Sequence, residues 1–376
     1  MSGGGEAPVE EKIIKPLARR LCDGALGLYG LRDARLEPLV GGFVEVYLAR
    51  TADGQDFVLR LYGLSRVDEA AMRADPRLRT GPGLRSPDTI HAQLSWLASL
   101  GRETRLLVPE PMPTSEGPLV GRVSVEGMQT ERHCALLRWV PGLHKVQDPS
   151  PEDLSLLGSF VARMHDHSER YPLPESAPLP GWDHSWPFGD SAPLWEEGRR
   201  FYSEEEMGVF AETGRRSKEV LERLGEGADV FGVIHRDLKL DNVVFHRGRA
   251  GALDFDACGL GHYLLDLCRV RRNLTSRHPN RLRALWDAFL GGYEATRPLP
   301  EGHRRYFGTF AAMQTVAAVN RQVALLASGG SRKETRDPRF LSNAVGLLRR
   351  MSASWALLPL GLQELPYKLG AVIGAA

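Results

Sequence analysis

Residues 233–245 read VIHRDLKLDNVVF. Two β-branched runs, Val233–Ile234 and Val243–Val244, enclose a histidine, an arginine, a lysine, two aspartates and an asparagine. Runs of that type favour buried strands. The polar residues between them therefore need partners, because an unpaired polar group away from water is costly. Asp237 and Asn242 stand five residues apart, and a loop of that length aims both side chains into one cleft. Twelve residues after Asn242 the segment LDFDA places Asp254 at the end of a further strand.

One carboxylate, one amide and a second carboxylate in a short hairpin suit phosphoryl transfer from a nucleotide. Its transition state is loose and highly charged, so positioning and charge neutralisation do most of the catalysis. Mg²⁺ takes hard oxygen ligands, one or two carboxylates together with phosphate oxygens, and Asn242 and Asp254 meet that need. Asp237 is placed to accept or steer the proton of an attacking hydroxyl, and Lys239 to reach the γ-phosphate. A polar loop with satisfied caps would explain Asp and Asn singly. It does not explain their joint spacing, which matches the kinase catalytic-loop signature.

The rest of the chain sets the frame. Its 376 residues are 42% hydrophobic and 25% charged with a net charge of +1, an ordinary globular composition. That balance gives no overall pull toward nucleic acid or an anionic membrane. The four cysteines form no C-x-x-C pair and read as reduced core thiols. The Gly-rich, acidic start has no apolar core of a signal peptide, and no run of 18 apolar residues occurs. A cytoplasmic protein is expected.

Residues 1–12 are expected to be a disordered tail, 13–139 an N-terminal lobe and 140–376 a C-terminal lobe. Residues 13–30 carry helical spacing. Strands are expected in ARLEPLVGGFVEVYLAR around Gly41–Gly42, in DGQDFVLRLY, and twice in RVSVEGMQTERHCALLRWV. Residues 63–87 read as a loop or insertion. TIHAQLSWLASLGRE is amphipathic, with Ile90, Leu94, Leu97 and Leu100 on one face. After Val140–Gly142 helices dominate: 151–168, 194–226, 263–274, 281–295, 303–328 and 337–355. The only strands expected there are VFGVIHR, NVVFHRG and AGALDFD.

On the stretches LVGGFVEVYLA, FVLRLY, LSWLASL, VPEPMP, LLRWVPG, LGSFVARMH, VIHRDLKLDNVVF and ALDFDACGLGHYLLDL, the chain resembles the aminoglycoside phosphotransferase-like kinases. The resemblance runs from about residue 35 to 350. LSWLASL and VPEPMP point to the branch of stress-response and homoserine kinases. The resemblance implies an α+β, bilobal protein-kinase-like fold, with an N-terminal antiparallel sheet carrying one main helix and a larger helical C-terminal lobe. It implies ATP and Mg²⁺ as cofactors and a small-molecule hydroxyl acceptor as partner, with neither nucleic acid nor membrane.

By the same resemblance Gly41 and Gly42 cover the nucleotide phosphates, and Arg60 stands where a phosphate-gripping lysine is usual. Its expected helix partner, a glutamate, is replaced by Gln93, which forms no ion pair. Arg138 and Val140 flank Trp139 in the segment whose backbone pairs with adenine. Asp266 resembles the aspartate that bonds the catalytic-loop backbone, and His165 a helix residue packed beneath that loop. D-F-D replaces D-F-G, no A-P-E follows, and GLGHYLLDLCRV is expected to lead straight into a helix. Residues 281–350 hold twelve Arg and Lys against five Asp and Glu, which fits an anionic or zwitterionic acceptor better than a polycationic one. The same residues also suit a bacterial Ser/Thr protein kinase of the stress-response type. Arg60 with Gln93 leaves a third reading, a nucleotide-binding pseudoenzyme scaffold.

Overall fold

The computed structural model describes residues 16–40, 44–63, 86–126, 131–174, 177–327 and 339–355. Gly41, Gly42, the tail 1–12 and all but the ends of the 63–87 segment lie outside the described residues. The chain divides into two compact units, and the last switch between them falls between Trp139 and Val140.

The first unit is a sheet with one helix against it. Helix α1 (Pro16–Leu28) precedes strands β1 (Arg35–Val40), β2 (Val44–Arg50) and β3 (Asp56–Tyr62). The short strands β4 (Pro111–Met112) and β5 (Gly121–Val123) and the longer β6 (Arg132–Arg138) complete it. All pairings are antiparallel, in the order β1-β2-β3-β6-β4, with β5 also on β6. The alternation in β3 does what its pattern dictates: Phe57, Leu59 and Leu61 point into the core, the two leucines with no exposed surface. Each such leucine contributes roughly 1.5–3 kcal/mol by leaving water. They meet Leu21, Cys22 and Leu26 of α1. β4 was not expected from the sequence, because two residues give no periodicity to read.

The amphipathic segment forms α2 (Pro87–Thr104), with Ile90, Leu94, Leu97 and Leu100 buried. It was expected in the first lobe, but Asp88–Pro109 belongs to the second unit. Its apolar face and Gln93 are used there, as described below. The second unit continues with α3 (Pro151–Arg170), α4 (Ser185–Phe188), α5 (Pro193–Glu197) and α6 (Glu204–Leu224). Then come β7 (Phe231–Ile234), β8 (Val243–His246), β9 (Arg249–Ala252), β10 (Gly259–His262) and the helices α7 (Tyr263–Arg277), α8 (Leu282–Glu294), α9 (Phe307–Ala327) and α10 (Arg339–Trp355).

The helical stretch expected over 194–226 is made of two helices: a 3₁₀ turn follows α5, and α6 starts afresh from Ser203. Ser203 and Glu206 form a reciprocal capping box, which satisfies the first amides of α6 and fixes its start. The helix expected over 263–274 is present as α7, and GLGH, not expected as a strand, forms β10 immediately before it, antiparallel to β7. Its glycines hide it from propensity, yet they are what lets it fit. A Cβ on Gly259 would lie 2.2 Å from the Pro180 carbonyl oxygen, and one on Gly261 2.8 Å from Ile234 Cδ1.

All four cysteines are buried and none is in a disulfide. Among the described residues no helix is long and apolar enough to cross a membrane.

Helices α3 and α8 cross at a point where only glycine fits. A Cβ on Gly158 would stand 2.0 Å from the Phe289 carbonyl oxygen, and one on Gly292 2.1 Å from that of Ser155. The obstacles are backbone atoms in helices and cannot rotate away. Gly158→Ala is therefore expected to destabilise by about 1–3 kcal/mol or more, although alanine is the better helix former. Urea unfolding checks this, and a more stable variant would contradict it.

Candidate active site

The polar loop between β7 and β8 is held from below by one helix. α7 presents Asp266, Arg269, Asn273 and Arg277 at spacings of three, four and four, which is a single stripe of an α-helix. Each bonds the loop in turn. Asp266 is fully buried. Its carboxylate accepts the amide N–H groups of His235 (2.8 Å) and Arg236 (2.7 Å) and stands 3.3 Å from His165 Nε2. Arg269 donates from Nε (2.9 Å) and one terminal nitrogen (2.8 Å) to Asp237 Oδ1. Asn273 Oδ1 accepts the Leu240 amide at 2.9 Å, and Arg277 pairs with Asp241 at 2.9 Å.

His165 lies beneath the loop on α3, stacked on Tyr263 and 3.0 Å from the Tyr293 hydroxyl through Nδ1. Burial pushes its pKa below the ordinary histidine value, with Asp266 opposing. A neutral ring then donates from Nε2 to Asp266 and accepts from Tyr293. His235 donates from Nε2 to the Leu253 carbonyl (2.9 Å), which leaves its Nδ1 to accept the Asp237 amide (3.3 Å).

Leu253 is also bonded at its other end: its amide donates to the Asn242 carbonyl at 2.8 Å. The residue preceding Asp254 is thus tied to both ends of the loop. Asp254 sits in the left-handed region with φ 60°, a conformation aspartate tolerates better than most residues, and a 3₁₀ turn follows it. Asn242 is 7% exposed, and its Nδ2 donates to Asp237 at both the carbonyl and Oδ2, 3.0 Å each. Those bonds fix the amide and leave Oδ1 as its hard oxygen donor. Lys239 Nζ lies 3.4 Å from Asp237 Oδ2, so in this arrangement it serves the aspartate.

Asp237 therefore carries a cation on each oxygen. Burial works to raise its pKa, but Arg269 and Lys239 outweigh it and hold the carboxyl below the usual range.

Gln93 of α2 has a definite task. Its Nε2 donates to the carbonyls of Cys258 (2.7 Å) and Asp256 (3.2 Å), in the segment just after Asp254. A glutamate there would aim an anion at two carbonyl oxygens. The amide is the side chain that this place requires.

The remaining expected residues are placed as follows. Arg60 is half-buried in the middle of β3, opposite Val46 and Ala135. Arg138 ends β6: its amide donates to the Glu110 carbonyl (2.8 Å) and its side chain pairs with Glu110 at 2.9 Å. That amide is committed within the sheet, so adenine pairing by the Arg138 N–H is not supported. Val140 is buried in the second unit. Arg236 and Arg269 were not singled out from the sequence. The signal for Arg269 was there: D-x-x-R-x-x-x-N over 266–273 is a polar stripe on an otherwise apolar helix start.

A sheet-bearing first unit, a helical second unit and this loop on its hairpin define a protein-kinase-like fold. The chain belongs to the phosphotransferase enzyme family, whose model matches residues 35–299. It is 39% identical over 80 residues to the homoserine kinase of Neisseria meningitidis, covering 21% of this chain and 26% of that one. It is 26% identical over 192 residues to the amicoumacin kinase of Bacillus subtilis, covering 50% and 54%. The chain thus spans about half or less of the length of these curated relatives. Among solved structures, a microcompartment-associated aminopropanol kinase superposes with a TM-score of 0.66 at 21% identity, covering 90% of this chain and 96% of that one. An amicoumacin kinase in complex with AMP-PNP, Ca²⁺ and Ami gives 0.66 at 16% identity, covering 90% and 92%. These structural likenesses bear on the fold.

The stripe on α7 yields a graded expectation. Asp266→Ala leaves two buried amides without an acceptor and is expected to cost roughly 3–5 kcal/mol. Arg277→Ala, at the exposed end, is expected to cost less than about 1 kcal/mol. Chemical denaturation of both variants checks the order. The Asp237–Arg269 pair carries a pH dependence. Its folded carboxyl is lowered, so its contribution is present above the unfolded value and lost as pH falls through the folded one. Arg269→Met should be less stable than wild type at pH 7, and the gap should narrow as pH falls below the ordinary carboxylate range. An unchanged gap in acid would contradict the pairing.

Proposed function

We propose that this protein is an ATP- and Mg²⁺-dependent phosphotransferase that moves the γ-phosphate to a hydroxyl of a small-molecule acceptor. The observation that carries the reading is the double bonding of Leu253, the residue before Asp254, to His235 and Asn242 at the two ends of the loop that holds Asp237. The names of the relatives, kinases of homoserine, amicoumacin and aminopropanol, support a small acceptor.

Asp237 positions the acceptor hydroxyl. With its pKa held down by Arg269 and Lys239 it is a weak base. That suits a loose transition state, in which the hydroxyl proton is taken late. Arg269 and Asn242 fix the carboxylate, so little of its orientation is left to chance.

The donor set fits a magnesium ion. Asn242 offers a pre-aligned Oδ1, and Asp254 adds a carboxylate. Among the described residues no three His, Cys, Asp or Glu side chains converge as a metal cage. A site of one amide and one carboxylate is what Mg²⁺ takes when nucleotide and water complete its shell. When bound, the ion would neutralise charge on the transferring phosphates. Arg60 and Lys239 are assigned to phosphate contact and Gly41 and Gly42 to covering them; Lys239 would exchange Asp237 for phosphate. Val140 is assigned to the adenine-facing segment.

The test is Mg²⁺-dependent transfer from ATP across a panel of small hydroxyl compounds. Asp237→Asn is expected to lower turnover by roughly 10²–10⁴-fold. Mg²⁺-ATP at about a hundred times its Kd should stabilise both proteins by roughly 2.7 kcal/mol. Equal turnover by the Asp237→Asn protein, or no thermal response to millimolar Mg²⁺-ATP, would overturn the assignment.

A further inference from the structure

The residue before Asp237 is built in a way that the reading above does not use. Arg236 has φ 73°, a left-handed backbone that an arginine rarely adopts. Asp266 holds it there by accepting its amide. The side chain lies in the angle between two indoles. Its guanidinium carbon is 3.9 Å from the Trp186 ring centre and 4.6 Å from that of Trp182. The two rings stand at 86° to each other. Trp182 is itself tied down, donating from Nε1 to the Ala257 carbonyl at 2.9 Å and from its amide to Leu260 at 2.7 Å.

Among the described residues no carboxylate is hydrogen-bonded to the Arg236 side chain. Arg236 Nε is shielded from solvent and meets no acceptor among the described residues. Its charged neighbours are already engaged with one another. Arg269 is spent on Asp237, and Asp266 on the two amides and His165. Arg272 donates to the Gln314 carbonyl. Burial and Arg269 push the Arg236 pKa down to about 10, with Asp237 and Asp266 opposing, so it keeps its charge at neutral pH.

A strained backbone and two oriented indoles thus hold a half-buried cation, its Nε shielded from solvent, next to the residue that receives the acceptor. Buried cations without acceptors are expensive unless a ligand completes them. Planar guanidinium binds an oxyanion through paired N–H groups, and among the described residues no side-chain hydrogen bond or ion pair engages that of Arg236. We infer that Arg236, framed by Trp182 and Trp186, binds an oxyanion of the acceptor, so that the substrates are hydroxyl compounds bearing a carboxylate or a phosphate. The inference rests on the phosphotransferase reading for the word acceptor, but not for the anion site itself.

The experiment uses the full chain saturated with Mg²⁺-AMP-PNP, so that nucleotide-phosphate contacts are filled. It is titrated at constant ionic strength with acetate and, separately, with inorganic phosphate, following indole emission and melting temperature. Wild type is expected to saturate with at least one of them. Arg236→Gly, whose backbone suits the left-handed turn, should bind at least about tenfold more weakly, while AMP-PNP affinity stays the same. Arg236→Lys keeps the charge without the fork and should retain part of the binding. A response to acetate alone marks carboxylate acceptors; a response to phosphate alone marks phosphorylated ones. Titrations without saturation overturn the inference. So does an Arg236→Gly protein that melts lower yet titrates like wild type, which is the behaviour of a purely structural clamp. If AMP-PNP fails to bind, the kinase reading falls, and the same titrations on the nucleotide-free chain still decide Arg236.

Discussion

The loop that holds the candidate catalytic residues has little regular structure of its own, and a single buried carboxylate sets its course. Asp266 accepts two consecutive amides, those of His235 and Arg236. Two adjacent N–H groups converge on one acceptor only if the backbone turns sharply, and the left-handed Arg236 is that turn. From there the direction of Asp237 follows, and α7 holds it with Arg269 one turn further on. The loop is thereby fixed to a rigid rod at successive turns. Catalytic geometry of this kind depends on positions held to a fraction of an ångström, and a helix supplies them better than a loop.

The second carboxylate is fixed by different means. Asp254 has Leu253 on one side, bonded to His235 and Asn242, and on the other a segment whose carbonyls are held by Gln93 and Trp182. Three separate elements therefore meet around four residues. Gln93 illustrates how much the chemical identity of a side chain matters. As a missing ion-pair partner it suggested a weakened enzyme. As an amide donor facing two carbonyl oxygens it is the residue that the place demands, and that weakens the case for a pseudoenzyme.

Much of this was legible in the sequence because the relevant signals are local. The loop residues Asp237, Asn242 and Asp254 are marked by spacing, and Leu59, Leu61, Leu94 and Leu97 by periodicity. The roles of Asp266 and His165 under the loop could be stated before any coordinates. What escaped depends on pairing between distant segments. β10 exists because β7 and the Pro180 carbonyl hydrogen-bond it, and its glycines carry no strand signal of their own. Arg236 and its indoles lie fifty residues apart in sequence. Nothing in RD next to a histidine announces that two tryptophans will frame the arginine. The helix break before Ser203 was legible as a capping box but was masked by the helical spacing on either side.

The cysteines have a consequence for how the molecule can be followed. Cys22 and Cys134 lie in the first unit, Cys258 and Cys268 in the second, all without exposed thiols. Burial pushes Cys22 up to about 12, Cys134 to about 11 and Cys268 to about 12, far from the thiolate that reacts. A thiol in that state is silent to alkylating reagents until its surroundings open. Each unit therefore contains its own pair of clocks. The order in which the four are labelled would report which half of the chain breathes first, without any added probe.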